Sequence, residues 1–156
     1  DLFDRARDRA RPQFGTALYD AVVRALPPAS SGVHPKKALL ILSDGDDTNS
    51  GTSIRKAQEA IRATEILVYA LGIEDEGGVN AGTLRRLTDD TGGRSEVVKG
   101  FRTLEAATAR LAAELNQQYQ LGYAAPAGKD GSWHTIKIDV RKRGVKVRAR
   151  TGYFAS

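Results

Sequence analysis

The sequence predicts an α/β fold: a parallel central sheet flanked by helices, with an antiparallel hairpin at its carboxy-terminal end. Three observations predict it. Ala38-Leu39-Leu40-Ile41-Leu42 and the later run EILVYALGI (65–73) are short, almost unbroken apolar stretches, the signature of strands buried on both faces. The segments between and after them carry apolar residues at helical spacing instead. Beyond Tyr119 the period changes to two: Ile136, Ile138 and Val140 alternate with Lys137, Asp139 and Arg141, and Val145, Val147 and Ala149 with Lys146, Arg148 and Arg150.

Taken in order, the elements follow from local chemistry. Residues 1–13 are a charged segment in which Pro12 disfavours helix past Arg11. Leu18, Ala21, Val22, Ala25 and Leu26 predict a helix over 16–26, entered through Gly15-Thr16 and stopped by Pro27-Pro28. The first strand, 38–42, breaks into the acidic turn Ser43-Asp44-Gly45-Asp46-Asp47. Ile54, Ala57, Ala60 and Ile61 place a helix over 53–64, and a second strand follows at 66–71. Leu84 and Leu87 mark a helix over 81–91, ended by Gly92-Gly93 as a glycine C-cap. A third strand is expected at 95–98 and a long amphipathic helix over 103–118, carried by Leu104, Ala107, Leu111 and Leu115. Lys142-Arg143-Gly144 joins the two alternating runs into a hairpin spanning 134–154 with one buried face, and YQLGYA (119–124) is its expected third partner. The division is thus an α/β part over 1–118 and a β extension over 119–156 packed on it.

Composition bounds the function. A chain of 156 residues is the size of one domain with its own core. The absence of cysteine excludes disulfides and thiolate metal sites. No apolar run is long enough to span a bilayer. The charge of +5 favours acidic partners without selecting one. The basic run 141–150 reads as the solvated face of the hairpin, because no aromatics suited to stacking on bases are interleaved with it; nucleic acid is not an expected partner.

The acidic turn is the candidate site, because ligands of open α/β sheets bind at the carboxyl ends of the strands. Asp44 ends the first strand, and Thr16 opens the first helix, where its hydroxyl either caps the helix or serves as a ligand. Asp46 and Asp47 read as solvated turn residues, Asp89 and Asp90 as solvent-facing, and His34 and His134 as isolated surface histidines.

Gly15-Thr16-Ala17-Leu18-Tyr19-Asp20-Ala21, followed by a strand ending Leu42-Ser43-Asp44-Gly45, resembles the second and third motifs of a von Willebrand factor type A domain. EILVYALGI and LRRLTDDTGGR are similar to the following parts of that fold. The tail, YQLGYAAP and HTIKIDVRKRGVKVRARTGYF, resembles that of a bacterial VWFA-related family usually found in exported proteins. The resemblance implies a partial von Willebrand A, Rossmann-like fold and a non-enzymatic adhesion or protein-recognition module, exported to the periplasm, cell surface or medium. It implies a divalent cation, usually Mg²⁺, held by the Thr16 hydroxyl and the Asp44 carboxylate, with an acidic residue of a protein partner completing the shell. Mg²⁺ suits such a site because it takes six hard oxygen ligands and keeps several waters. The family's first motif, Asp-x-Ser-x-Ser, does not occur in the chain; Asp46-Asp47-Thr48-Asn49-Ser50 follows Asp44 directly and is no substitute. The resemblance therefore covers the carboxy-terminal portion of the fold, without the strand that lies beside 38–42. A bare apolar strand edge recruits other chains, so a homodimer through that edge is expected.

Two other readings stand beside this one. Asp44-Gly45-Asp46-Asp47-Thr48 also fits the Asp-x-Asp-x-Thr string of haloacid-dehalogenase-type phosphatases, with Asp44 as nucleophile, Asp46 as acid/base and shared Mg²⁺. The other reading is a structural interaction module that holds no metal.

Overall fold

The computed structural model describes residues 15–74, 77–124 and 130–155. The charged segment 1–13 and part of the acidic loop after the second strand lie outside the described residues. Strands β1 (Ala38–Ser43), β2 (Leu67–Glu74) and β3 (Ser95–Lys99) form a parallel sheet in the order β1-β2-β3. The α/β fold class predicted from the sequence is the one observed.

Helices α1 (Leu18–Ser30), α2 (Ile54–Arg62) and α3 (Ala81–Thr88) share one core with one face of the sheet. Leu18, Val22 and Leu26 from α1, Ala57 and Ile61 from α2, and Leu84 and Leu87 from α3 pack with Ile41, Val68 and Ala70. The other face is covered by α4 (Gly100–Asn116), whose Ala107 and Leu111 pack on Tyr69, Leu71 and Val98. Each leucine, isoleucine or valine among them, fully buried, contributes about 1.5–3 kcal/mol. The two faces explain why β2 reads as a continuous apolar run: it is the central strand, covered on both sides.

Among the described residues β1 is covered on one side only, which corrects the expectation of a doubly buried strand. Ile41 is buried against the three-helix face. Leu40 and Leu42 lie in register with Tyr69 and Leu71 on the α4 face, yet they are 43% and 55% exposed. The physical reason is position: β1 is the outermost of the three strands among the described residues, and the apolar stripe of α4 packs on β2 and β3.

The helix ends also differ from expectation. α1 runs through Pro27 and Pro28 to Ser30 instead of stopping at Leu26. The prolines cost the helix two amides, those that would have met the carbonyls of Val23 and Arg24. The loss falls in an exposed last turn whose own carbonyls find donors. Ser31 N–H donates to Pro27 O at 3.1 Å, Ser31 Oγ to Pro28 O at 2.8 Å and Lys37 Nζ to Ser30 O at 2.5 Å. After α3 the chain tightens into a 3₁₀ turn (Asp89–Thr91) and leaves through Gly92 in the left-handed region, so the expected glycine exit is present. Ser53 is the N-cap of α2, accepting from Lys56 N–H at 3.4 Å.

The carboxy-terminal hairpin is shorter than the alternation predicts. Regular pairing is confined to β4 (Trp133–Thr135) and β5 (Gly152–Phe154), antiparallel, with Ile136 N–H donating to Thr151 O at 2.8 Å to extend the ladder by one bond. Val140, Val145 and Val147 are exposed, and 119–124 forms no strand. A two-stranded ribbon without a third strand or a covering helix is marginal, which is why pairing stops where packing stops.

The basic residues of this arm are not a uniformly solvated face. Arg150 is half-buried and donates to the carbonyls of Arg62 and Thr64 at the end of α2, and to Gly152 O at 2.7 Å; burial pulls its pKa down from the usual guanidinium value. Arg148 pairs with Glu114 of α4 at 2.6 Å, and Glu114 also accepts from Tyr69 Oη at 3.3 Å. Asp90, expected in solvent, instead pairs with Arg62 at 2.7 Å and accepts from Thr151. These contacts hold the base of the hairpin to the α/β layer, and the guanidinium of Arg62 lies 5.5 Å over the Trp133 ring.

Arg150→Ala is therefore expected to destabilise the protein by about 1–3 kcal/mol, the range for losing hydrogen bonds from a charged group. Trp133 is the single tryptophan, so its emission should shift to the red as the hairpin base loosens. An unchanged denaturation midpoint with unchanged Trp133 emission would show that Arg150 does not anchor the hairpin.

Candidate functional site

The site is assembled from two loops that the sequence keeps apart. α1 begins at Leu18 with Ala17 as N-cap, and no side chain of its own segment satisfies its first amides. They are met across the fold by the loop after β1. Asp47 Oδ2 accepts from Tyr19 N–H at 2.9 Å, and Ser50 Oγ accepts from Asp20 N–H at 3.0 Å. The Ser50 hydroxyl in turn donates to Asp47 Oδ2 at 2.5 Å. Asp20 returns the contact, its carboxylate accepting from Gly51 N–H and Thr52 N–H, both at 3.0 Å. A carboxylate on the first turn of a helix is also favoured by the helix dipole.

Thr16 is tied to the same loop through its main chain. Its N–H donates to Thr48 Oγ1 at 2.9 Å, and its carbonyl accepts from Thr48 N–H at 2.9 Å and Asn49 N–H at 3.1 Å. The Thr16 side chain does not cap α1; it is exposed, and its hydroxyl makes no hydrogen bond among the described residues. Gly15 permits this docking, because a Cβ there would meet Asn49 Cβ at 2.7 Å and Thr48 Oγ1 at 2.8 Å.

Asp44 stands at the carboxyl end of β1, partly buried. Its Oδ1 accepts from Asp46 N–H at 3.1 Å and lies 3.3 Å from the Ser43 hydroxyl; Oδ2 has no partner among the described residues. The turn is braced from the third side by Asn80, the N-cap of α3. Its N–H donates to Asp44 O at 2.7 Å and its Nδ2 to Asp46 Oδ1 at 3.2 Å. Gly45 is buried with φ +87°, and a Cβ there would lie 2.6 Å from Asn80 O. Only glycine fits that position without strain.

The structure thus brings both sequence-predicted residues, Thr16 and Asp44, to the carboxyl edge of β1. Asp47 is corrected from a solvated turn residue to the trans cap of α1. Asp46 is exposed and bonded to Asn80, while the Thr48 hydroxyl, third in the Asp-x-Asp-x-Thr string, is occupied by the Thr16 amide. Asn80, Asp20 and Ser50 were not singled out from the sequence. Asn80 preceding a helical pattern is a legible N-cap, but its grip on Asp44 and Asp46 is purely tertiary. The two described regions of the site hold hard oxygen donors suited to Mg²⁺ or Ca²⁺ chemistry. Among the described residues no group of three or more His, Cys, Asp or Glu side chains is arranged to hold a metal ion by itself.

His34 is exposed, as expected. His134 is partly buried, stacked on Tyr153 at 5.4 Å, and its Nε2 lies 3.0 Å from Ser132 Oγ and 3.1 Å from Asp130 Oδ1. Asp130, Ser132 and His134 do not form a relay, because the hydroxyl and the carboxylate meet the same ring nitrogen. The Asp130 carboxyl, held down to about 2 by the Ser132 N–H and then by the His134 and Ser132 side chains, closes a local turn.

No family model matches the chain, and no curated protein matches it. Among solved structures it is similar to the crystal structure of conserved hypothetical protein BatB from Bacteroides thetaiotaomicron, with a TM-score of 0.51 and 17% identity over 69% of this chain. The likeness is one of fold. It spans 62% of the BatB chain and accords with the parallel sheet between helices described above.

Three outcomes follow from this geometry. Burial raises the Asp47 carboxyl, but hydrogen bonds from the Ser50 hydroxyl and from the Tyr19, Ser50 and Leu18 amides outweigh it. The Asp20 carboxyl is lowered by the Thr52 hydroxyl and the Gly51 amide. Both folded values therefore lie below the ordinary 3.8. Their stabilisation is complete above that value and is lost as pH falls through the lowered ones. Amide exchange at Tyr19, Asp20, Gly51 and Thr52, corrected for its intrinsic pH dependence, should lose protection in that acid window and not near neutrality. Asp47→Ala should cost about 1 kcal/mol, the usual worth of a cap. Gly45→Ala, forcing a side chain into the left-handed region against Asn80, should lower stability by about 1–3 kcal/mol in chemical denaturation. A neutral result at Gly45 would show that the turn is not held as described.

Proposed function

We propose that the chain is part of a protein-recognition module of von Willebrand A type, in which a divalent cation at the carboxyl edge of β1 bridges to an acidic residue of a protein partner. The observation that carries the reading is the convergence of Thr16 and Asp44 on one loop system, each with a side-chain oxygen left free of partners among the described residues. The motifs Gly15-Thr16-Ala17-Leu18-Tyr19-Asp20 and Leu42-Ser43-Asp44-Gly45 support it, because the first of them is hydrogen-bonded to the loop that directly follows the second.

In this reading Asp44 supplies the charged ligand and Thr16 a neutral hydroxyl, two of the six positions a Mg²⁺ ion takes. Asp47, Ser50 and Asn80 act as positioning residues: Asp47 and Ser50 dock the Thr16 segment on the loop, and Asn80 fixes the backbone of Asp44. One carboxylate leaves a divalent ion with net positive charge, so an incoming Glu or Asp completes both coordination and charge. The +5 balance of the chain works in the same direction.

Calorimetric titration of the chain with Mg²⁺ and with Mn²⁺, alone and with a short Glu-containing peptide, tests the proposal. Ion binding should strengthen when the carboxylate peptide is present, disappear in Asp44→Ala and weaken about tenfold or more in Thr16→Ala. Ion binding that survives Asp44→Ala unchanged would remove that residue from the site. No ion-dependent peptide binding by the folded protein would favour a module that recognises its partner without metal.

A further inference from the structure

We propose that a cavity under the basic arm of the hairpin binds the phosphate group of a small phosphorylated molecule. The cavity lies at the amino-terminal end of β3. The sheet is parallel, so this is the opposite end from the acidic turn after β1, and the proposal is independent of any metal there. Its volume is about 460 Å³, and it is walled by the end of α3, the segment 92–95 that leads into β3, and the arm 146–149. The arm is fixed at this place by close backbone contact. A Cβ on Gly92 would lie 2.8 Å from the Ala149 carbonyl carbon, and Thr151 N–H donates to Asp90 O at 3.2 Å.

The charges of the wall select the ligand. Arg85, Arg94, Lys146 and Arg148 line the cavity against a single lining carboxylate, Asp89. Arg148 is matched by Glu114 at 2.6 Å. Arg94 has only long contacts, 3.4 Å from Nε to the same Glu114 and 3.7 Å from Nη2 to Glu96, and Glu96 is shared with Arg110. Arg94 Nε is buried with no hydrogen-bond partner among the described residues. The side chains of Arg85 and Lys146 take part in no ion pair or hydrogen bond there, and neither does the hydroxyl of Ser95, which lines the same cavity. Four cations thus face two carboxylates, Asp89 and Glu114. The remaining excess of positive charge suits a phosphate monoester, which carries about −1.5 to −2 at neutral pH; a carboxylate would leave part of it unmatched. A guanidinium fork, an ammonium and a hydroxyl are donors that phosphate oxygens accept from well. Like charges around one cavity repel one another, and a bound anion relieves that repulsion. The cavity is larger than one phosphate group, which leaves room for the rest of a small molecule.

Heteronuclear NMR titration of the folded 156-residue chain at constant ionic strength tests this, with glycerol 3-phosphate, inorganic phosphate and acetate as probes. Glycerol 3-phosphate should give saturable shifts of the Gly93, Arg94 and Ser95 amides, and should bind more tightly than inorganic phosphate and far more tightly than acetate. Arg85 and Lys146 are exposed, so Arg85→Ala and Lys146→Ala should fold normally. Each should weaken binding about tenfold, the worth of one hydrogen bond from a charged group. Asp89→Asn removes the opposing carboxylate and should tighten binding. Lys142→Ala removes a charge of the same arm outside the cavity and should leave binding unchanged. Shifts that never saturate, acetate binding as tightly as phosphate, or equal losses in Lys142→Ala and Lys146→Ala would each overturn the inference. Inorganic phosphate binding as tightly as glycerol 3-phosphate would overturn the larger ligand and leave a site for free phosphate.

Discussion

The amino-terminal end of α1 cannot satisfy its own backbone, and much of the described site follows from how that need is met. Four amides open every helix without an intrahelical partner. Here Ala17 stands at the cap position, and the donors turn instead to Asp47 and Ser50, which lie at the carboxyl end of β1. One capping requirement therefore couples a helix on one face of the sheet to the loop at the strand end. It carries Thr16, which immediately precedes the cap, onto Thr48 and Asn49 of the loop that follows Asp44. Asp20 closes the circuit by accepting from Gly51 and Thr52. Two short-chain acceptors, Asp47 and Ser50, thus do in trans what a single serine or aspartate does in an isolated helix.

The same economy makes the site sensitive to its supports. Gly45 must occupy the left-handed region against Asn80, and Gly15 must let the chain approach Thr48 and Asn49. Main-chain bonds hold Thr16, and the Asn80 N–H holds the Asp44 carbonyl, while the Thr16 hydroxyl and Asp44 Oδ2 have no partner among the described residues.

The two faces of the sheet are unequal, and that inequality shapes the rest of the molecule. α1, α2 and α3 bury the face bearing Ile41, Val68 and Ala70, whereas α4 reaches only Tyr69, Leu71 and Val98 on the other. Leu40 and Leu42 are left exposed at the edge of the sheet formed by the described residues. Glu114 gathers Arg94, Arg148 and the Tyr69 hydroxyl, while Arg150 caps the carbonyls at the end of α2. The hairpin is therefore tied down by arginines rather than by a shared apolar core, and its strands are regular only near those ties.

The sequence alone determined the elements that rest on local pattern. The three parallel strands, the four helices, the glycine exit at Gly92 and the placement of Asp44 at a strand end all follow from apolar period and turn chemistry, which act over a few residues. The direction of the hairpin was legible from its two alternating runs for the same reason. Tertiary structure decided the rest. Whether ALLIL is buried on one face or two depends on which strand ends the sheet and how far α4 reaches, and no local pattern carries that information. Whether Arg150 is solvated or caps α2 depends on a partner 86 residues away. The passage of α1 through Pro27 and Pro28 was decided by donors outside the helix. Asp47 looked like any turn aspartate, because its partner is the amide of Tyr19, 28 residues earlier in the chain. Backbone amides are chemically alike at every position, so a sequence shows that a helix needs a cap but not which distant side chain will reach it.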